Sequence, residues 1–382
     1  MTDTRTYLDH NATTPLLPAA RDALAEALAA GGNPSSVHAE GRAARSRVEK
    51  ARAQVAGLAG VKPAEVIFTS GGSEANALAL RGLAPSRPVL VVGATEHDSV
   101  RANAADLGAV LRVETLPVDG AGLPDLEALD RLLEDAGQGR ALVSVMAANN
   151  ETGVLAPLAE IARIARAHGA LLHTDAVQAA GRIALDTAAP GADLLSLSAH
   201  KIGGAPGAGA LIVREGVVLA RQIAGGGQEL GRRAGTENVP AIAAFAAAAA
   251  HAAAHLDDWI AIAALRDDLE RRLLAAVPQA AVHGACAPRL PNTSMIGLAG
   301  VAGETQVMAM DLAGFAVSSG AACSSGKVKA SHVLAAMGVA AAGDTIRISL
   351  GRDTSQADID AFAAAWTAFA ARALSRRVGL AA

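Results

Sequence analysis

Short runs of Val, Ile and Leu alternate through the first half of the chain with stretches in which apolar residues return every three or four positions. The runs at 66–68, 89–92, 142–146, 171–173, 194–197 and 210–213 predict strands. The stretches at 73–83, 97–107, 126–136 and 158–168 predict the helices between them. Strands joined through helices imply right-handed crossovers and a largely parallel sheet covered on both faces. In such a sheet a ligand lies at the carboxyl ends of the strands. From 240 to 277 the pattern reads as one long helix, or two in series, ended by Pro278. Apolar segments at 294–296 and 346–350, then an amphipathic helix over 356–375, predict a second region, with the domain change near Asp257.

Length and composition narrow the classes. A chain of 382 residues can bury a large core and form one large domain plus a smaller one. Aromatic residues are only 2%, so core volume must come mainly from Leu, Val and Ile. A formal charge of −4 argues against a nucleic-acid partner, which calls for a basic face. Cys286 and Cys323 make neither a disulfide framework nor a zinc spacing, which suits a reducing cytosol. The polar N-terminus lacks the apolar core of a signal peptide. The run at 241–250 is too short and too weakly hydrophobic to span a bilayer. The expectation is a soluble cytoplasmic protein with no membrane partner.

Chemistry gathers at the strand ends. Asp175-Ala176-Val177-Gln178 follows one strand and Ser196-Leu197-Ser198-Ala199-His200-Lys201 ends another. A lysine after a Ser/His turn and an aspartate on an earlier strand are what a pyridoxal phosphate (PLP) site requires. The amine forms a Schiff base with the cofactor aldehyde, and the carboxylate pairs with the ring nitrogen. Either motif alone serves equally as a solvated lysine or a strand-end turn. Ser198 and His200 are placed to bond the phosphate, and Gln178 to donate to the ring's phenolate oxygen. Thr69-Ser70-Gly71-Gly72-Ser73-Glu74 joins a strand to a helix, so Gly72 and Ser73 suit a phosphate cup, or a plain helix N-cap. His97 follows the strand at 89–92 and opens the next helix, either facing the cofactor ring or capping. Asn150, after the strand at 142–146, is placed to reach cofactor or substrate. His251 and His255 lie one helical turn apart without a third ligand nearby, so no metal site is expected.

Cys323 sits in Ser318-Ser319-Gly320-Ala321-Ala322-Cys323-Ser324-Ser325-Gly326-Lys327, a run of small residues with little means of packing. The segment is expected to be exposed and mobile. Lys327 and Lys329 nearby favour the thiolate, the nucleophilic form of a cysteine.

Taken in order, these motifs resemble the class V aminotransferase-like PLP enzymes, and within them the cysteine desulfurases of the NifS/IscS type. The resemblance runs from Tyr7-Leu8-Asp9-His10-Asn11-Ala12-Thr13-Thr14-Pro15 through Gly32–Ser36, Asn149–Gly153 and Arg233–Asn238 to the segments holding Cys323 and Arg347. It implies the aspartate aminotransferase fold, a PLP-dependent transferase of fold type I. The large domain, residues 14–256, is α/β with a mixed, mostly parallel sheet, and a smaller α+β domain, 1–13 with 257–382, carries the catalytic cysteine loop. It implies a homodimer in which Thr236 reaches the neighbouring subunit's phosphate. L-cysteine would be the substrate, with L-alanine and a persulfide on Cys323 as products. In the roles it implies, Lys201 holds PLP and then shuttles protons, Asp175 keeps the ring nitrogen protonated, and His97 stacks and assists proton transfer. Arg347 would clamp the substrate carboxylate bidentately, with Asn150 and Asn11 helping. A loop of about eight extended residues spans on the order of 25 Å, enough to carry a persulfide to an acceptor scaffold or carrier protein, as in iron–sulfur cluster assembly. Other readings are a selenocysteine lyase or class V aminotransferase and, from a different class, a non-catalytic sulfur-transfer scaffold.

Overall fold

The computed structural model describes residues 5–319 and 330–381. Its thirteen strands run β1 Thr6–Tyr7, β2 Val66–Thr69, β3 Val89–Gly93, β4 Arg112–Leu116, β5 Ala141–Ser144, β6 Leu171–Asp175, β7 Leu194–Ser198, β8 Gly209–Val213, β9 Ala280–Val282, β10 Thr293–Leu298, β11 Phe315–Ala316, β12 Ser318–Ser319 and β13 Thr345–Ser349. A seven-stranded sheet has the order β2-β8-β7-β6-β5-β3-β4. The pairs β4/β3, β3/β5, β5/β6 and β6/β7 are parallel. These strands are joined through helices, as a parallel neighbour demands. β8 runs antiparallel to both β7 and β2, because only the short 199–208 connection precedes it.

Side chains alternate strictly across this sheet. Val66, Phe68, Val89, Val91, Ala210 and Ile212 face one apolar layer, whereas Ile67, Leu90, Val92, Leu211 and Val213 face the other. The second layer is closed by helices Gly72–Leu83 and Asp98–Leu107. The first is closed in part by helix Val239–Ala254, whose buried Ala241, Ala244, Ala248 and Ala252 let it pack on helices Pro18–Ala30 and Ala39–Ala59. Alanine supplies little volume but permits close approach, which is how a chain so poor in aromatics fills its interior.

Of the two readings of 240–277, the pair in series holds: helices Val239–Ala254 and Asp258–Ala276 meet at 77°. Among the described residues no single helix is long and apolar enough to cross a membrane. Beyond the bend, β9, β10, β12 and β13 form an antiparallel sheet in the order β12-β13-β10-β9. It shares a core with Leu8, Trp259, Phe362 and Trp366.

One buried ion pair sets the path of the segment before the Val239–Ala254 helix. Arg52 binds Glu229 through two bonds of 2.7 and 2.9 Å, and the Phe68 amide donates to the same carboxylate at 2.8 Å. Glu229 and Leu230 take φ of 47° and 56°, left-handed values that L side chains adopt only under constraint. The ion pair supplies that constraint. Removing Arg52 leaves the buried Glu229 carboxylate without its cation, so Arg52→Met should destabilise the fold by about 3–5 kcal/mol, read by denaturant unfolding. A loss below about 1 kcal/mol would show that the pair is not what holds this segment.

Candidate active site

The carboxyl ends of β3, β5, β6 and β7 open into a cavity of about 230 Å³. Gly72, Ser73, His97, Asn150, Asp175, Gln178, Ser198, His200 and Lys201 all line it, joined by Asn76, Ser99 and Met146. Nine residues marked out from sequence thus converge in one place.

The cup is built on close approach. A Cβ on Gly72 would stand 2.8 Å from Val177 Cγ2, and one on Gly209 would stand 2.6 Å from the Gly71 backbone. Glycine at both positions lets β8 and the segment after β6 close on the start of helix Gly72–Leu83. The first amides of that helix have no acceptor within it and suit an anion. Glu74 sits behind them, held by Arg233 at 2.8 Å and by the Ser70 amide at 2.8 Å.

Asp175 closes β6. Its Oδ1 accepts from the Val177 amide at 3.0 Å and its Oδ2 from Asn76 Nδ2 at 2.7 Å. Asn76 also donates to Ser99 Oγ at 2.8 Å, while its own Oδ1 is buried with no partner. Lys201 follows β7 through the tight turn Ala199–Lys201, and its Nζ donates to Asn11 O at 2.6 Å and Ala12 O at 2.8 Å. Beside it, His200 is pushed down to about 4 by burial and the Lys201 charge, so its ring is neutral at pH 7.

His97 stands where a helix start meets the cavity. It caps helix Asp98–Leu107, with Nδ1 accepting from the Ser99 amide at 3.1 Å, and it lines the cavity. An Nδ1 that accepts an amide bond carries no proton, which places the ring's hydrogen on Nε2.

Three expected site residues lie elsewhere. Asn11 does not line the cavity: its amide donates to Thr293 Oγ1 and Asn150 O and accepts from Asn292. With those bonds made, its side chain orders the β10–β13 wall, and its carbonyl meets Lys201. Arg347, on β13, is also outside the lining set. Its Nη2 pairs with Asp9 at 2.7 Å and its Nη1 with Asn150 O at 3.0 Å, leaving a buried Nε without a partner. A carboxylate would have to meet the Nε edge, since the guanidinium's outer end is already engaged. Thr236 is exposed and lines a separate hollow with Glu229 and Arg233. Cys323 lies outside the described residues.

Sequence reasoning passed over Asn76, Glu96 and Arg182. Asn76 carried a signal, a polar residue on the otherwise apolar, buried face of its helix. Glu96 is fully buried, with Oε1 accepting from the Met146 amide at 2.6 Å and Oε2 unpartnered. Burial pushes its carboxyl well above the usual range.

The donor set fits PLP. There is an amine on Lys201, a carboxylate on Asp175 beneath the cavity, a helix start shaped by Gly72 for a phosphate, and an amide on Gln178. The buried, unpartnered Arg347 Nε adds a donor suited to a carboxylate nearby. Comparison with known proteins agrees. The aminotransferase class-V family model matches residues 6–362. A cysteine desulfurase of Cereibacter sphaeroides is 45% identical, with 93% of each chain covered. An IscS-like cysteine desulfurase of Mycobacterium tuberculosis is 40% identical over 98% of each. The solved structure of a NifS-like protein from Rickettsia africae superposes with a TM-score of 0.87 at 36% identity, covering 95% of this chain and 98% of that one.

Proposed function

The chain belongs to the class-V aminotransferase family, and from that premise we propose that it is a PLP-dependent cysteine desulfurase acting through Cys323. The observation that carries this reading is the meeting of Lys201, Asp175, His97 and Gln178 around one cavity at the strand ends. When bound, PLP supplies an electron sink for the bonds at the substrate's α- and β-carbons. Lys201 would hold it, and its Nζ would move the protons. Asp175 keeps the ring-nitrogen proton, with Asn76 and the Val177 amide fixing the orientation of its carboxylate. His97, on the cavity wall, would exchange a proton at Nε2. Arg347 and Asn150 receive the substrate carboxylate.

The sum balances without an outside oxidant or reductant. The sulfur of L-cysteine leaves its β-carbon for the Cys323 sulfur, giving L-alanine and an enzyme persulfide. The persulfide then passes to a thiol or to an acceptor scaffold or carrier, with iron–sulfur cluster assembly the use we favour. We take 14–256 as the PLP-binding domain and 1–13 with 257–382 as the smaller one, supported by the separate core around Trp259 and Trp366. We also propose a homodimer, in which the exposed Thr236 serves the phosphate site of the second copy.

Alanine should form from L-cysteine with no keto acid present, which separates this reading from a transaminase. A strict need for a keto acid, with no sulfur released, would overturn it. Asp175→Asn should keep its PLP and lower turnover by about 10²–10³-fold, because it removes the charge that holds the ring-nitrogen proton. Steady-state alanine formation at matched PLP content measures this.

A further inference from the structure

Arg182 is only 3% exposed, yet every acceptor it meets is neutral. It donates to Gln178 O at 2.7 Å and Gln178 Oε1 at 2.6 Å through Nη1, and to His10 O at 3.1 Å through Nη2. Burying a guanidinium without a carboxylate is costly, and a neutral amide could satisfy the same oxygens. The charge therefore calls for a use. The side chain it grips most closely is Gln178, which lines the PLP cavity.

We propose that Arg182 is a positioning residue for PLP: it fixes the Gln178 amide with its N–H groups toward the cavity and polarises them for the cofactor's 3′-oxygen. The inference rests on the functional reading above. An amide has two unlike ends, and Arg182 takes Oε1. A flipped amide would set its NH₂ against the guanidinium, donor facing donor. With Oε1 claimed, one Nε2 hydrogen goes to Asn11 O at 3.0 Å and the other is left for a ligand. That same carbonyl receives Lys201 Nζ, so Arg182 and Lys201 are linked through a single amide and one oxygen. A donor whose carbonyl is bonded to a cation is stronger than a neutral one.

The surroundings leave this charge in place. Burial, Arg347 and Arg352 bring Arg182 down to about 9, so it stays protonated at neutral pH. His10, whose carbonyl it bonds, is pushed down to about 4 by burial and by Arg182, and is neutral. Asp9 is paired with Arg347, and Asp353 faces His10. Across the cavity stand Asp175, His97, His200 and Lys201.

The test is the pH titration of the visible absorbance of the PLP-loaded protein, which follows the proton on the Lys201–cofactor linkage. Positive charge and a donor at the 3′-oxygen both lower that midpoint. Arg182→Met and Arg182→Gln should therefore raise it by about one pH unit. Arg182→Lys, which keeps the charge, should move it less than half as far. Gln178→Leu should also raise it, and adding Arg182→Met to Gln178→Leu should add less than half of what it does in the parent. Should Arg182→Met fail to fold, Arg182→Gln decides, because it keeps a donor without the charge. A parent with a visible band and an Arg182→Gln midpoint equal to it would overturn this inference alone. A parent that takes up no PLP would overturn the functional reading, and this inference with it.

Discussion

Replacing Lys201 by alanine should abolish alanine formation from L-cysteine, by about 10⁴-fold or more, and leave a protein that loses PLP on gel filtration. The Nζ group has two duties at one place, holding the cofactor and moving the proton, so a single substitution removes both. The position explains why no neighbour substitutes. Lys201 is set at the end of β7 by the Ala199–Lys201 turn, with Nζ anchored on Asn11 O and Ala12 O. His200 next to it is held neutral by burial and by Lys201, and its Nδ1 lies 3.2 Å from Thr13 Oγ1. The loss of the two carbonyl contacts costs about 1 kcal/mol each, small enough to leave a folded chain. Unfolding measured beside the assay separates catalytic loss from instability. A Lys201→Ala protein that consumed cysteine normally would refute the assignment of the cavity.

Cys323→Ser carries the second large effect. The variant should load PLP and bind L-cysteine like the parent, yet form alanine at least about 10³-fold more slowly and carry no persulfide. A hydroxyl cannot take the sulfur: at neutral pH it is almost wholly protonated, and it is a weaker nucleophile than a thiolate. PLP content and the cysteine-induced spectral change report on binding, while alanine formation reports on sulfur transfer. Loss of the second with the first intact places the defect at the acceptor. Should alanine formation persist in Cys323→Ser, the sulfur must leave by another route, and the transaminase or lyase readings regain ground.

Six strands of the large sheet, β2, β3, β5, β6, β7 and β8, were legible because each holds a short Val/Ile/Leu run bounded by polar turns. β4 was not legible. Arg112-Val113-Glu114-Thr115-Leu116 lies at the sheet edge, half-exposed, and has no apolar run to betray it. The bend between Ala254 and Asp258 was similarly hidden, since alanine-rich helices continue or break on tertiary contacts that periodicity does not record. Asp175, Gln178 and Lys201 could be read because the chemistry requires those residue types immediately after strands, where an open sheet binds its ligand. The pairings of Asn76 and Glu229 could not, because their partners Asp175 and Arg52 lie 99 and 177 residues away. Arg182 illustrates a different limit. An arginine one turn past a glutamine looks like a surface residue until burial shows that water does not reach it.

The measurement that bears most directly on the central claim is sulfide and alanine release from L-cysteine with a thiol reductant, for the parent and Cys323→Ala side by side. Equimolar alanine and sulfide from the parent, both lost in the variant, are the expected result. Alanine absent from a PLP-loaded parent, or released equally by both proteins, would contradict desulfuration through Cys323.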